Sequence, residues 1–320
     1  MAEFITISNT EDGTRVLRWF LRHYPGMLQR DFYKLCRGGQ IRINSSRCKG
    51  TEILAAGDVV RIPPTMASYK QVNKTETGEK FSLSDLENLR KCIIHNDADI
   101  VVFNKPAGLA VQGGTGIKKS VDKMAAALFP YDKISLVHRI DKETSGLLIV
   151  AKNQKAAQDL SNQFQNKTAH KEYLALLQGT LTEKSGVIDN YVSKGHVFED
   201  FAKIPQDVVA QRAVTEYQVL GEASNLLTWI LFSPKTGRTH QLRLHSAFSL
   251  HAPIVGDDLY GERRSSIDGV LGSVLTTQKL FLLAYRITFK HPGNGKTVTM
   301  HANIPDFMQP VIKFLEFQLP

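Results

Sequence analysis

The stretch His138-Arg139-Ile140-Asp141-Lys142-Glu143-Thr144-Ser145-Gly146 runs straight into the apolar Leu147-Leu148-Ile149-Val150. It sets one acid between basic neighbours, in a turn rich in small hydroxyl residues, at the mouth of a strand buried on both faces. Working outward, further strands are expected at 93–95, 100–103, 173–177, 214–220, 226–232, 280–289 and 296–301. Helices are expected at 120–128, 154–164, 239–248 and 305–317. The strands are mostly consecutive, joined by turns such as His291-Pro292-Gly293-Asn294-Gly295. That order implies an antiparallel or mixed sheet in an α+β fold, not a regular series of parallel crossovers.

Upstream lies a smaller α+β unit. Val16, Leu17, Phe20, Leu21 and Tyr24 sit at helical spacing, with Arg15, Arg18 and Arg22 on other faces and Pro25-Gly26 as the stop. A second helix fits 29–36 and is closed by Gly38-Gly39. Short strands follow at 41–44 and 59–62, and Pro63-Pro64 end the unit. The reading is therefore a module at 13–64, a polar linker at 65–90 and a large domain at 91–320. Within the linker, Ser84-x-x-Glu87 resembles a capping box opening a short helix.

The chain has 320 residues and a formal net charge of +9. Residues 1–64 hold ten Lys/Arg against six Asp/Glu, so the N-terminal fifth is the denser basic element and a polyanion is the expected partner. No apolar run approaches the roughly 18 residues of a membrane span, and no secretory signal is visible. Three cysteines without a C-x-x-C spacing point to reduced thiols and a cytoplasmic setting. His240 and His245 are five apart, off the i, i+4 geometry of a shared metal ion, so no metal is expected. The glycine-rich run 113–119 lacks P-loop spacing, and no dinucleotide fingerprint occurs, so no nucleotide cofactor is expected. The acid pairs Glu199-Asp200 and Asp257-Asp258 read as solvated loop charges.

Five strings in order then change the weighing of Asp141: Lys105-Pro106-Ala107-Gly108, the stretch 138–146, Lys171-x-Tyr173-x-Ala175, Thr236-Gly237-Arg238-Thr239-His240-Gln241-Leu242-Arg243, and Gly256-Asp257-Asp258-Leu259-Tyr260-Gly261. Together they resemble the RluA family of RNA pseudouridine synthases, over residues 93–302. Within it the likeness is to the large-subunit ribosomal RNA branch of RluC type. The likeness rests on the loop Gln112-Gly113-Gly114-Thr115-Gly116 and the appended module. Residues 13–62 resemble the alpha-L RNA-binding motif named for ribosomal protein S-four. This chain departs from the family at Arg18, Gln112 and Ala252, where an acid, a His and a His are usual.

The resemblance implies a pseudouridine synthase fold and an isomerisation that needs neither cofactor nor metal. It makes Asp141 the catalytic carboxylate, as nucleophile or as charge-stabilising base. Arg243 would be its ion-pair partner, Tyr173 would stack on the target base, and Leu242 would wall the pocket. Arg139 would fill the space left by a flipped uridine. Arg15, Arg30, Lys34, Arg37 and Arg42 would contact RNA phosphates. The implied partner is large-subunit ribosomal RNA or its precursor, with no membrane partner and the monomer as default. Two other classes remain: an RNA-binding ribosome-assembly factor without catalysis, and a glycosidase-like hydrolase, which would need a second carboxylate near Asp141. The same chemistry on another structured RNA is the nearer alternative.

Overall fold

The computed structural model describes residues 3–24, 27, 29–66, 81–114, 116–193, 195–261, 267, 271–275 and 279–320. The Pro25-Gly26 stop, Thr115 of the glycine-rich loop and residues 67–80 of the expected linker lie outside the described residues. The chain divides into two units, Met1–Lys80 and Phe81–Pro320.

In the smaller unit β1 (Glu3–Thr6), β2 (Thr14–Arg15), α1 (Val16–His23), α2 (Gln29–Arg37), β3 (Arg42–Ile43), β4 (Ser46–Arg47), β5 (Ile53–Leu54) and β6 (Val59–Ile62) follow in order. The apolar stripe of α1 buries Val16, Trp19 and Phe20 in one core with Phe32 and Cys36 of α2. The Phe20 and Phe32 rings lie 5.2 Å apart. Gly39, at φ +63°, ends α2, and the Gln40 N–H reaches back to the Leu35 carbonyl at 3.0 Å. This left-handed closure is the reason glycine stands there. One correction concerns the start. Strand β1 pairs antiparallel with β6, Glu3 opposite Ile62, so the folded module begins at Glu3 and not at residue 13.

The larger unit opens with α3 (Leu83–Lys91), β7 (Ile93–Asn96), β8 (Ile100–Lys105) and α4 (Val121–Leu128). It continues through β9 (Ser135–Leu136), β10 (Ser145–Ala151), α5 (Gln154–Gln165), β11 (His170–Gln178), β12 (Ser185–Ser193) and β13 (His196–Phe198). It closes with β14 (Gln211–Ala223), β15 (Leu227–Pro234), α6 (Gln241–Leu244), β16 (Leu282–Lys290), β17 (Thr297–His301) and α7 (Gln309–Phe314). The strands form one mixed, mostly antiparallel sheet in the order β13-β12-β14-β15-β11-β16-β10-β8-β7, with β17 on β16 and β9 on β10. Only β10 and β16 run parallel among the paired strands. Every residue of β10 is buried, as its unbroken apolar run requires.

Three further features differ from the sequence reading. Helix α3 belongs to the large unit: Leu89 lies in its core, so the expected linker 65–90 ends before Phe81. The capping box is Ser82 with Asp85, whose N–H donates to the Ser82 hydroxyl at 3.1 Å, not Ser84 with Glu87. The helix expected at 239–248 is a short α-turn followed by a π-turn, His245–Ser249. There the Ser246 hydroxyl bonds back to the Leu242 carbonyl at 2.8 Å, which competes with regular helix.

Candidate active site

One row of residues crosses the middle of the sheet. Lys105 pairs with Gly146, Gly146 with Ala284, Ala284 with Tyr173 and Tyr173 with Phe232. Adjacent strands lie roughly 4.8 Å apart, so Tyr173 stands two strands from the point where the 138–145 loop enters β10. Gly146 has φ +107°, and a Cβ there would run into the Ala284 backbone carbonyl. Only glycine lets the loop enter the sheet at this place.

The loop before Gly146 is fixed from below. The Lys105 side chain is buried, and its ammonium donates to the carbonyls of Pro106, Leu109 and Lys142 at 2.9, 2.8 and 2.9 Å. All three N–H groups are thus used. Burial pulls this ammonium down to about 7, against the charges of Glu143 and Asp141 that favour it. The Gly108 N–H also donates to the Lys142 carbonyl, and the Thr144 N–H to that of Asp141. On the far side His138 Nε2 accepts the Ile149 N–H at 2.9 Å, and its ring stacks on Phe164. Burial first, then the charge of Lys171, lowers His138 to about 3, so it is a neutral loop-shaping residue.

A second loop, after β15, is organised by Gln241. Its carbonyl oxygen accepts from the Thr236 hydroxyl and the Arg238 N–H at 2.7 and 3.0 Å. Its amide donates to the Val214 carbonyl and the Thr215 hydroxyl at 3.1 and 2.9 Å. Every bond that a buried glutamine needs is made. His240 takes the left-handed conformation at φ +54° and meets the Tyr260 hydroxyl at 2.8 Å. The chain then turns into α6, which carries Leu242 and Arg243.

These loops enclose a cavity of about 90 Å³ lined by Arg139, Asp141, Tyr173, Leu242 and Arg243, among others. All five residues that the sequence reading put at the site converge there. Burial, then the charge of Asp141, raises the Tyr173 phenol well above its usual range, so it is a neutral hydroxyl beside the carboxylate. The expected Arg243–Asp141 ion pair is not formed. Arg243 forks onto Asp257 instead, with a third contact to Asp258 at 3.2 Å. Asp257 is buried, which corrects its reading as a solvated loop charge.

In the smaller unit Arg30 and Arg37 line an open groove with Tyr33, Arg47 and Lys49. Arg15 and Lys34 are exposed but do not line it. Arg42 is half-buried and bonds to the Gly39 and Ser45 carbonyls. The sequence reading missed Arg47 and Lys49, although both lie in the basic stretch it counted.

Residues 99–248 match the family model described as RNA pseudouridylate synthase. The ribosomal large subunit pseudouridine synthase C of Haemophilus influenzae is 33% identical over 98% of this chain and 95% of its own. That of Vibrio parahaemolyticus is 34% identical over 97% and 95%. The chain belongs to the RNA pseudouridine synthase family. The solved structure of human RNA pseudouridylate synthase domain containing 4 is also similar, with a TM-score of 0.62 and 25% identity. It spans 76% of this chain and 98% of that one. This synthase is therefore an isomerase, and its mixed sheet is the framework on which the two site loops are hung. The matched region holds Asp141, Tyr173 and Arg243 but stops short of Asp257 and Tyr260, which the synthase uses to hold Arg243.

Proposed function

We propose that this synthase converts specific uridines of large-subunit ribosomal RNA to pseudouridine, as a cytoplasmic monomer, with Asp141 as its catalytic carboxylate. Pseudouridine formation conserves atoms: the N1–C1′ bond breaks, the uracil turns, and a C5–C1′ bond forms as the C5 proton moves to N1. The reaction asks for one ionised carboxylate at the sugar, either attacking or stabilising charge. The observation that carries the reading is the convergence of Asp141, Tyr173 and Arg243 on one cavity. Arg243 adds a positive charge to that wall, fixed in place by its fork onto Asp257. Tyr173 stacks on the detached base, a contact worth roughly 1–3 kcal/mol. Leu242 closes the pocket, and Arg139, exposed at its rim, takes the place of the flipped uridine. The smaller unit delivers the RNA, with Arg30, Arg37, Arg47 and Lys49 on phosphates.

The choice of large-subunit rRNA is supported by the names of the relatives that match along nearly the whole chain. The test maps pseudouridines in that rRNA from cells with and without this protein, then offers the unmodified RNA to purified enzyme. Sites that vanish in the knockout and return with wild type but not with Asp141→Asn are expected. An unchanged map would move the substrate to another RNA, and full turnover by Asp141→Asn would remove Asp141 from its role.

A further inference from the structure

The active cavity has a neighbour. A larger one, about 760 Å³, runs past His138, Phe164, Lys167 and His170. Six residues line both: Arg139, Lys171, Pro234, Thr236, Gly237 and Arg238. They form the ridge between the two spaces, and three of the six are cations.

Among the described residues, none of these three cations has a carboxylate partner. Two of the acids nearby are engaged elsewhere, Glu172 with Arg286 and Glu216 with Lys235 at 2.7 Å, and Asp141, on the wall of the smaller cavity, forms no ion pair with any of the three. Arg238 gives its Nε to the Arg212 carbonyl at 3.1 Å. Lys171 is the most enclosed. It sits two residues before Tyr173 on β11, so both side chains share one face of the strand. A Cβ on Gly237 would lie 3.6 Å from its ammonium, which therefore rests against the loop backbone. Burial lowers its pKa, with no acid pulling the other way. A partly desolvated cation without a counter-ion is costly, and an anion brought by the substrate would offset that cost.

We propose that this ridge is a phosphate-binding site: Lys171, flanked by Arg139 and Arg238, binds a backbone phosphate of the uridine seated in the active cavity. The inference rests on the RNA-modifying reading above. A polynucleotide reaching Asp141 brings one kind of anion, the phosphodiester on either side of the target nucleoside. The small cavity suits the base, and the sugar-phosphate chain leaves across the ridge into the larger space. The bound phosphate sets where the ribose carbon stands relative to Asp141, so Lys171 acts on position and affinity, not on the bond-breaking itself.

The probe is a fragment of large-subunit rRNA around a uridine that the wild type converts, so failure of the broader reading shows before any variant is made. Each phosphate flanking that uridine is replaced singly by a neutral methylphosphonate. For wild type, one replacement should lower kcat/KM about tenfold or more, the size of a lost bond to a charged group. Lys171→Gln should lose about as much on the all-phosphate RNA, mainly in KM, and the same methylphosphonate should then cost it nothing further. Lys171→Arg should restore most of the loss. Methylphosphonate losses that simply add to the Lys171→Gln loss would overturn the proposal. So would a wild type indifferent to both replacements, a result that needs no folded variant.

Discussion

Arg243 and Asp257 form a buried fork beside the carboxylate of Asp141: Arg243 Nε and Nη2 donate to the two Asp257 oxygens at 2.8 and 2.6 Å. Asp257 also accepts the N–H groups of Leu259 and Tyr260, both at 3.0 Å, so its own position is set by the loop that carries it. The Tyr260 ring lies 5.2 Å from the guanidinium. The arginine is thus held on two sides before any substrate arrives. Its charge shares the cavity wall with Asp141 without closing onto it, so the two form no ion pair.

Asp257→Asn should test this arrangement. The amide keeps the shape but leaves the buried guanidinium only the exposed Asp258 as a counter-charge, and breaking such a buried pair typically costs up to about 3–5 kcal/mol of stability. Arg243 is then free to swing onto Asp141, and turnover should fall on the order of a hundredfold, with RNA affinity within a few-fold. Denaturant unfolding and single-turnover assays on the same preparation measure both effects. Lost stability with unchanged turnover would make Asp257 a residue of the fold alone.

Gly146→Ala should be among the most damaging single changes. The new methyl group meets the Ala284 carbonyl in a conformation that L side chains avoid, inside a strand with no exposed residue. Backbone cannot retreat there without breaking the row that links Gly146 to Tyr173. The expected cost is above about 4 kcal/mol, read as insoluble protein or a large drop in midpoint denaturant. Full solubility with wild-type turnover would contradict the geometry.

The elements that were legible in the sequence share a physical cause. Strand β10 is apolar throughout because both faces are covered, and β11 and β16 likewise read as apolar runs. Strand β12 escaped because Asp189-Asn190 at its centre look like a turn. Asn190 is nonetheless buried, satisfied by Ser249 at 3.0 Å and His245 at 3.1 Å, partners that only the tertiary fold supplies. Strand β1 escaped because its Phe4 is exposed and no alternation marks it. At the site the five motif residues line one cavity, a convergence that was expected from the resemblance. The partner of Arg243 was misassigned because adjacent Asp257 and Asp258 look alike in sequence and differ only in burial: Asp257 points inward, Asp258 outward.

The smaller unit carries its own acid sensitivity at Glu11. The Ser8 hydroxyl and N–H, then His23 and Trp19, hold this carboxyl below its ordinary 4.5, at about 2. A folded value below the unfolded one gives stability that is present above about 4.5 and lost as pH falls toward about 2. Water around a surface group screens the effect, leaving about 1 kcal/mol. The Trp19 indole N–H, donated to Glu11 at 2.9 Å, is a local reporter by nitrogen-edited NMR. Its signal should shift with pH across that window in wild type and stay flat in Glu11→Gln. A flat wild-type signal would remove Glu11 as the titrating group.

The last expectation separates the two units. Each has its own buried core, one built on Trp19, Phe20 and Phe32, the other on the central sheet strands. Every residue assigned to chemistry or to the phosphate ridge lies beyond Phe81, where the large unit begins. A chain starting at Phe81 should therefore fold, since α3 keeps its Ser82 cap and its buried Leu89. On a short saturating RNA its turnover should match full length within a few-fold. On intact rRNA its binding should weaken and depend less steeply on salt, because the groove cations Arg30, Arg37, Arg47 and Lys49 are no longer there to neutralise phosphates. Loss of about four contacts would flatten the slope of log K against log salt by about 3. Equal loss of turnover on both substrates by a folded truncation would mean that the smaller unit completes the active site. No loss on either would leave its basic groove without a part in RNA delivery.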